Sequence, residues 1–213
     1  GSINAEVQVV AEIVSILVVG WAGVWSDRIG RLPLITGGFL AVVGGAALSV
    51  INVSLGLTVG SGGLALYYLT RVLITGGADA VQLELSVLVG DAAPAEERPR
   101  RLTNVIFMTV FGGTVLTAIA MQLADQDHGL ILIVALPLVV GLAGYAIARR
   151  LLVEGAPRHP ESAASLTEVW RLISGDSRMQ LALVAAFYTR ADVIIVSLFY
   201  SLWCLSVADS AGV

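Results

Sequence analysis

The chain has 213 residues, 57% of them hydrophobic and only 13% charged, with a mean hydropathy of +0.88 and a formal net charge of −4. Soluble domains carry charge on about a quarter of their residues, so this composition excludes that class. There is no lysine, and the arginines stand mostly in short connections among Asp and Glu, which disfavours nucleic acid as a partner.

A membrane-spanning helix needs about 20 mainly apolar residues. Six segments meet that requirement: Val7–Trp25, Pro33–Val53, Gly62–Gly90, Thr103–Ala124, Leu130–Ala148 and Met179–Trp203. The expected fold class is therefore an all-α polytopic transmembrane helix bundle. Polar or glycine-bearing joints separate the segments at Ser26–Leu32, Ser54–Ser61, Asp91–Leu102 and Asp125–Gly129. Arg28 and Arg31 follow the first segment, Arg98, Arg100 and Arg101 the third, and Arg149, Arg150, Arg158, Arg171 and Arg178 the fifth. The joints after the second and fourth segments contain no arginine. Arginine-bearing loops stay cytoplasmic, so the first segment runs from outside to inside. The third segment is long enough to tilt or to project into the cytoplasm. Gly37, Ala41, Gly45 and Ser49 recur at every fourth position of the second segment, and Gly144 and Ala148 do so in the fifth. Such small-residue stripes predict close helix packing in lipid.

The long connection Leu151–Arg178 opens with Gly155, Pro157 and Pro160. Ser165-Leu166-Thr167-Glu168 then reads as a capping box. Leu166, Val169, Trp170 and Ile173 follow at helical spacing, and Gly175 is a natural stop. A short amphipathic helix on the cytoplasmic face is expected here. The domain reading is five spans in residues 1–150, a cytoplasmic linker in 151–178, and a further span with its outer loop in 179–213. The chain opens without an initiator Met or a basic leader, and an even number of spans returns it to the outside. Both features predict an interior block of a larger membrane protein, whose remainder would be a partner.

Charged residues within the spans are expensive and need a partner or a watery cavity. The candidates for substrate binding or proton coupling are Glu12, Arg71, Asp79, Glu84, Arg190 and Asp192. Arg71 and Asp79 lie about 12 Å apart along one helix, too far to pair directly. One of Arg71 or Arg190 is expected to meet Asp79, Glu84 or Glu12 across a cavity. No Ser/His/Asp set, P-loop or zinc-type Cys/His spacing is present, so no enzymatic activity, cofactor or metal site is expected. His128 with Asp125 and Asp127 reads as a solvated turn, and the single Cys204 excludes an intrachain disulfide.

The joint after the first segment reads Gly23-Val24-Trp25-Ser26-Asp27-Arg28-Ile29-Gly30-Arg31. It resembles the G-x-L-a-D-r-x-G-r-k loop motif of the major facilitator superfamily. Gly23, Asp27, Arg28, Gly30 and Arg31 match, whereas Trp25 replaces the usual Leu and Leu32 a basic residue. Asp91, Pro94 and Arg98 fit the acidic-x-x-Pro-x-x-x-Arg pattern after that family's fourth helix. The resemblance implies a partial fold of that family, covering its helices two to seven. It also implies a cytoplasmic gating latch built from Gly23, Asp27, Arg28, Gly30, Arg31, Asp91 and Arg98. The functional expectation is secondary transport of a small polar solute by alternating access, coupled to protons or ions. The alternative is a non-transporting subunit, sensor or assembly factor of a membrane complex. The arginine-only, Ala/Val/Gly-rich usage points to a bacterial inner membrane or an invagination of it.

Overall fold

The computed structural model describes residues 2–55, 61–124, 128–152, 166–185, 188 and 203. Six helices are delimited: α1 (Ser2–Ile29), α2 (Arg31–Ser54), α3 (Ser61–Ala92), α4 (Arg98–Ala124), α5 (Gly129–Leu151) and α6 (Leu166–Gly175). Residues 177–185 are also helical and begin the expected sixth span, most of which lies outside the described residues. The helices α1 to α5 are each long and apolar enough to cross a membrane. With the all-helical architecture, this makes the chain a multi-pass membrane protein. Residues 7–163 form one compact unit, and α6 belongs to another.

The helices run further than hydrophobicity alone predicts. The joint expected at Ser26–Leu32 is mostly helix, because α1 continues to Ile29 and α2 starts at Arg31. Asp27 and Arg28 can stay helical where a span emerges into water, since water solvates their side chains. Similarly, α3 ends at Ala92 and α4 begins at Arg98, which leaves only residues 93–97 as the turn. Pro94 caps that turn, its carbonyl accepting the backbone N–H groups of Glu97 and Arg98 at 3.0 Å each. With 32 residues α3 is about 48 Å long, well beyond a hydrocarbon core of about 30 Å. Pro137 lies inside α5; membrane helices tolerate this where neighbouring groups satisfy the freed carbonyl. His128 precedes α5 in the left-handed region, at φ 65°. The predicted capping serine, Ser165, lies outside the described residues, but α6 does end at Gly175. Trp170 and Leu172 of α6 are exposed.

Helix α2 is central and packs on both α3 and α5. Where it meets α3, the two backbones touch. A Cβ on Gly38 would lie 2.8 Å from the Gly77 carbonyl oxygen, and one on Gly77 would lie 2.6 Å from the Gly38 carbonyl oxygen. One helical turn or two further, a Cβ on Gly45 would lie 3.0 Å from the Thr70 carbonyl oxygen. The stripe expected at Gly37, Ala41, Gly45 and Ser49 is thus rotated by one position at its start. Gly38 makes the approach, while a Cβ on Gly37 would meet nothing within 4 Å. On α5, Gly144 accommodates the ring of Phe39, and Gly141 faces Val42 and Val43. Ile35, Val81 and Ala148 form the buried cluster where α2, α3 and α5 meet, with Phe39, Leu85, Leu88 and Leu152 against it. The span of α4 buries none of its central window.

Helix α1 buries a single stripe, made by Val7, Ala11, Ser15, Ala22 and Ser26. Ser15 reaches Asp79 of α3, 64 positions away. The same offset separates Asp27 from Asp91, which are bridged by Arg31. A constant offset means that α1 and α3 run parallel and in register over the intervening turns.

Gly38→Ala and Gly77→Ala should each destabilise the bundle by about 1–3 kcal/mol through overpacking. Gly37→Ala should stay within about 0.5 kcal/mol. Thermal unfolding of the purified protein in lipid nanodiscs checks the contrast.

Candidate functional site

The turn between α1 and α2 consists of one residue, Gly30, at φ 95° and ψ 167°. This region of backbone space is open essentially to glycine alone. The reversal swings the first residue of α2 back along α1. Arg31 Nη2 thereby lies 3.0 Å from Asp27 Oδ1, and Arg31 Nη1 donates to the Ser26 hydroxyl. Ser26 in turn donates to the Gly23 carbonyl at 2.9 Å. The same guanidinium reaches across to α3, where Nη2 lies 3.4 Å from Asp91 Oδ2 and Nη1 3.5 Å from Glu84 Oε2. One cation therefore ties α1, α2 and α3 together at the arginine-bearing end of the bundle.

The three carboxylates differ in setting. Asp27 and Asp91 are partly exposed, but the Glu84 side chain has no exposed surface. Neither Glu84 oxygen has a well-formed hydrogen bond; Arg31 and Ser26 are its polar neighbours. Sequence reasoning placed Glu84 with the solute or coupling residues of a cavity, and the structure places it in the loop-motif cluster instead. The reason is its position two turns before Asp91, on the side of α3 that faces the α1–α2 turn. Ser26, the second buried polar group here, went unnoticed, although it stands inside the motif.

Other motif residues do not join the cluster. Gly23 lies within α1 with open space around its Cα, so close approach is not its role. Arg28 is exposed on the last turn of α1. Arg98 is exposed at the start of α4, and its backbone N–H is held by Pro94. Nearby, Arg101 pairs with Glu97 at 2.8 Å on the surface.

Deeper in the spans, Asp79 accepts a hydrogen bond from the buried Ser15 hydroxyl. Among the described residues, Ser15 donates to Asp79 and Arg31 lies beside Glu84, while Arg190, the other cation expected to meet Asp79, Glu84 or Glu12, lies outside them. Arg71 and Glu12 are half-buried, toward the opposite end of their helices. On α3, Arg71 stands about 30 Å from Asp91 along the axis, and Asp79 about 18 Å. Arg190 and Asp192 lie outside the described residues. A cavity of about 230 Å³ opens between α1, α2 and α3. Its walls are apolar or glycine, including Trp21, Ala22, Gly37, Gly38, Gly76 and Gly77, and none of the charged candidates among the described residues lines it.

The chain is 57% identical over 216 residues to the magnetosome protein MamZ of Paramagnetospirillum magneticum, a match that covers all of this chain and 34% of that protein. It is 55% identical over 218 residues to MamZ of Magnetospirillum gryphiswaldense, covering all of this chain and 33% of that relative. Its identity to the magnetosome protein MamH of P. magneticum is 36% over 209 residues, which covers 98% of this chain and 48% of MamH. The chain thus spans between a third and a half of the length of these relatives. No family model matches, and no solved structure does. These findings overturn the resemblance to the major facilitator superfamily inferred from the loop. Similarity that runs the whole length of the chain leads to magnetosome proteins, and it outweighs the matching positions of two short loops. The assignment of the spans to that family's helices two to seven falls with it.

Two outcomes follow from the cluster. Arg31→Ala should cost about 1.5–3 kcal/mol, the range for hydrogen bonds to charged groups, whereas Arg28→Ala should cost less than about 0.5 kcal/mol. Gly30→Ala should cost about 1–3 kcal/mol, because its backbone would be strained. Chemical denaturation in mild detergent, compared with wild type, measures all three.

Proposed function

We propose that this chain is the helical, membrane-embedded core of a magnetosome membrane protein, acting as a subunit or assembly factor of a membrane complex. The observation that carries this reading is the similarity along the whole chain to proteins named as magnetosome proteins. The membrane concerned is then the bacterial inner membrane or an invagination of it. Its partners are the lipid bilayer, the rest of the longer protein and other proteins of the complex, and the role is not enzymatic.

The geometry of the described residues favours this reading over transport of a small polar solute. A transporter site needs polar groups converging on a wet cavity near the midplane. Here the cavity between α1, α2 and α3 is apolar. Asp79 is hydrogen-bonded to Ser15, and Glu84 is turned toward Arg31. The broad apolar faces of α1 and α4, including Ile16, Leu17, Phe107, Met108 and Met121, are exposed and available to lipid or to other membrane helices.

The test uses the full-length protein, tagged and expressed in P. magneticum in place of MamZ. We expect it to co-purify with magnetosomes, and to migrate after mild solubilisation in a complex larger than its own mass. Asp79→Asn should leave both properties intact. A protein that migrates alone, and that on reconstitution moves a solute in a manner abolished by Asp79→Asn, would overturn the proposal.

A further inference from the structure

Among the described helices, α6 separates apolar from polar residues most sharply. At the helical repeat, positions Leu166, Val169, Trp170, Leu172 and Ile173 fall on one side, and Thr167, Glu168, Arg171 and Ser174 on the other. Trp170 and Leu172 stand at the two edges of the apolar side, and both are exposed. A helix of ten residues is marginal in water on its own, so this side needs a cover.

The corner after α6 indicates what that cover is. A single residue, Asp176, separates α6 from the helical residues 177–185. Its carboxylate accepts the backbone N–H of Arg178 at 2.8 Å and so caps the next helix. Its carbonyl accepts the backbone N–H of Gln180 at 3.0 Å, and Gln180 Nε2 donates back to the Ser174 carbonyl at 2.8 Å. The next helix is therefore bonded to the last turn of α6, with no slack between them. It opens the apolar run from Met179 to Trp203, and Met179, Leu181, Leu183 and Val184 are exposed. In a multi-pass membrane protein such a run belongs in lipid, so α6 is held where the lipid begins. Trp170 suits that level, because an indole has an apolar body and one polar N–H. From Leu166 to Arg178 the two acids, Glu168 and Asp176, balance the two arginines, Arg171 and Arg178. Anionic headgroups thus find no net charge to attract, and the apolar side carries the affinity.

We propose that α6 is an interfacial helix, lying in the boundary layer of the bilayer with its apolar side among the acyl chains. Its polar side meets the headgroups and water. Through the Asp176 corner, a helix so placed sets the depth at which the following helix starts. Insertion is as deep in a neutral bilayer as in an anionic one. The inference is independent of the magnetosome reading, since it rests only on α6, its corner and the multi-pass fold.

The test is electron paramagnetic resonance of the full-length protein in lipid nanodiscs. All other cysteines are removed, Cys204 included, and one nitroxide is attached in Thr167→Cys, Trp170→Cys, Ile173→Cys or Ser174→Cys. Collisions with oxygen, which concentrates among acyl chains, are compared with collisions with a water-soluble nickel chelate. Labels at Trp170→Cys and Ile173→Cys should favour oxygen several-fold more than those at Thr167→Cys and Ser174→Cys, in neutral and anionic nanodiscs alike. A second measurement keeps every cysteine in place. The tryptophan emission that Trp170→Phe removes should be quenched by brominated acyl chains and spared by aqueous iodide. Labels that meet the nickel chelate alike on both sides would mean a helix in water. Labels on the apolar side shielded from both reagents would mean a helix docked on protein. Either result overturns the proposal, as does insertion confined to anionic nanodiscs.

Discussion

Inside a bilayer, apolar side chains gain nothing by leaving lipid for a neighbouring helix, so association rests on close packing and on polar contacts. Everything in this bundle depends on the place where α2 and α3 come into backbone contact, at Gly38 and Gly77. With a side chain at either position the two helices would stand apart. The cluster of Ile35, Val81 and Ala148 would then lose its depth. The α1–α2 turn would also carry Arg31 out of reach of α3. The glycine contact is therefore upstream of the electrostatics: it sets the distance at which one guanidinium can serve residues on two helices.

The arginine cluster then fixes what packing leaves free. Close-packed smooth helices can slide, and the register of α1 against α3 is pinned at two levels by polar groups. One is Ser15 with Asp79, and the other is Arg31 between Asp27 and Asp91. The two levels share one offset, about 18 Å apart along the axis. A polar contact in a low-dielectric medium is costly to leave unmade, so two of them at matched spacing specify one alignment out of many. Gly30 makes the upper pin possible, because a residue unable to adopt its backbone angles would start α2 in another direction.

Much of the fold was legible from hydrophobic run length and from the alternation of arginine-bearing joints, because lipid imposes both directly. The five spans within the described residues appear where those runs are. Helix ends were less legible, since Asp27, Arg28 and Asp91 continue a helix once it reaches water, and no hydrophobic signal marks that extension. The choice of Gly38 over Gly37 depends on the rotation of α2, which the neighbours Thr70, Ile74 and Val81 decide. The motif arginine was visible, but not which acids it would collect. Arg31 and Glu84 are far apart in sequence, and only the crossing of α2 over α3 joins them. A short motif also misled on kinship: a tight helix–helix turn with a charge clamp is a local solution, and a helical membrane protein can carry it without sharing a family's mechanism.

Polar groups are distributed unevenly along the bundle. Toward the middle, Ser15 donates to Asp79, and an apolar, glycine-lined cavity opens between α1, α2 and α3. Within the arginine cluster, by contrast, three carboxylates share one guanidinium, and Glu84 is the most buried of them. The charged contacts that tie α1, α2 and α3 together are therefore gathered at that end, where Asp27 and Asp91 are partly exposed.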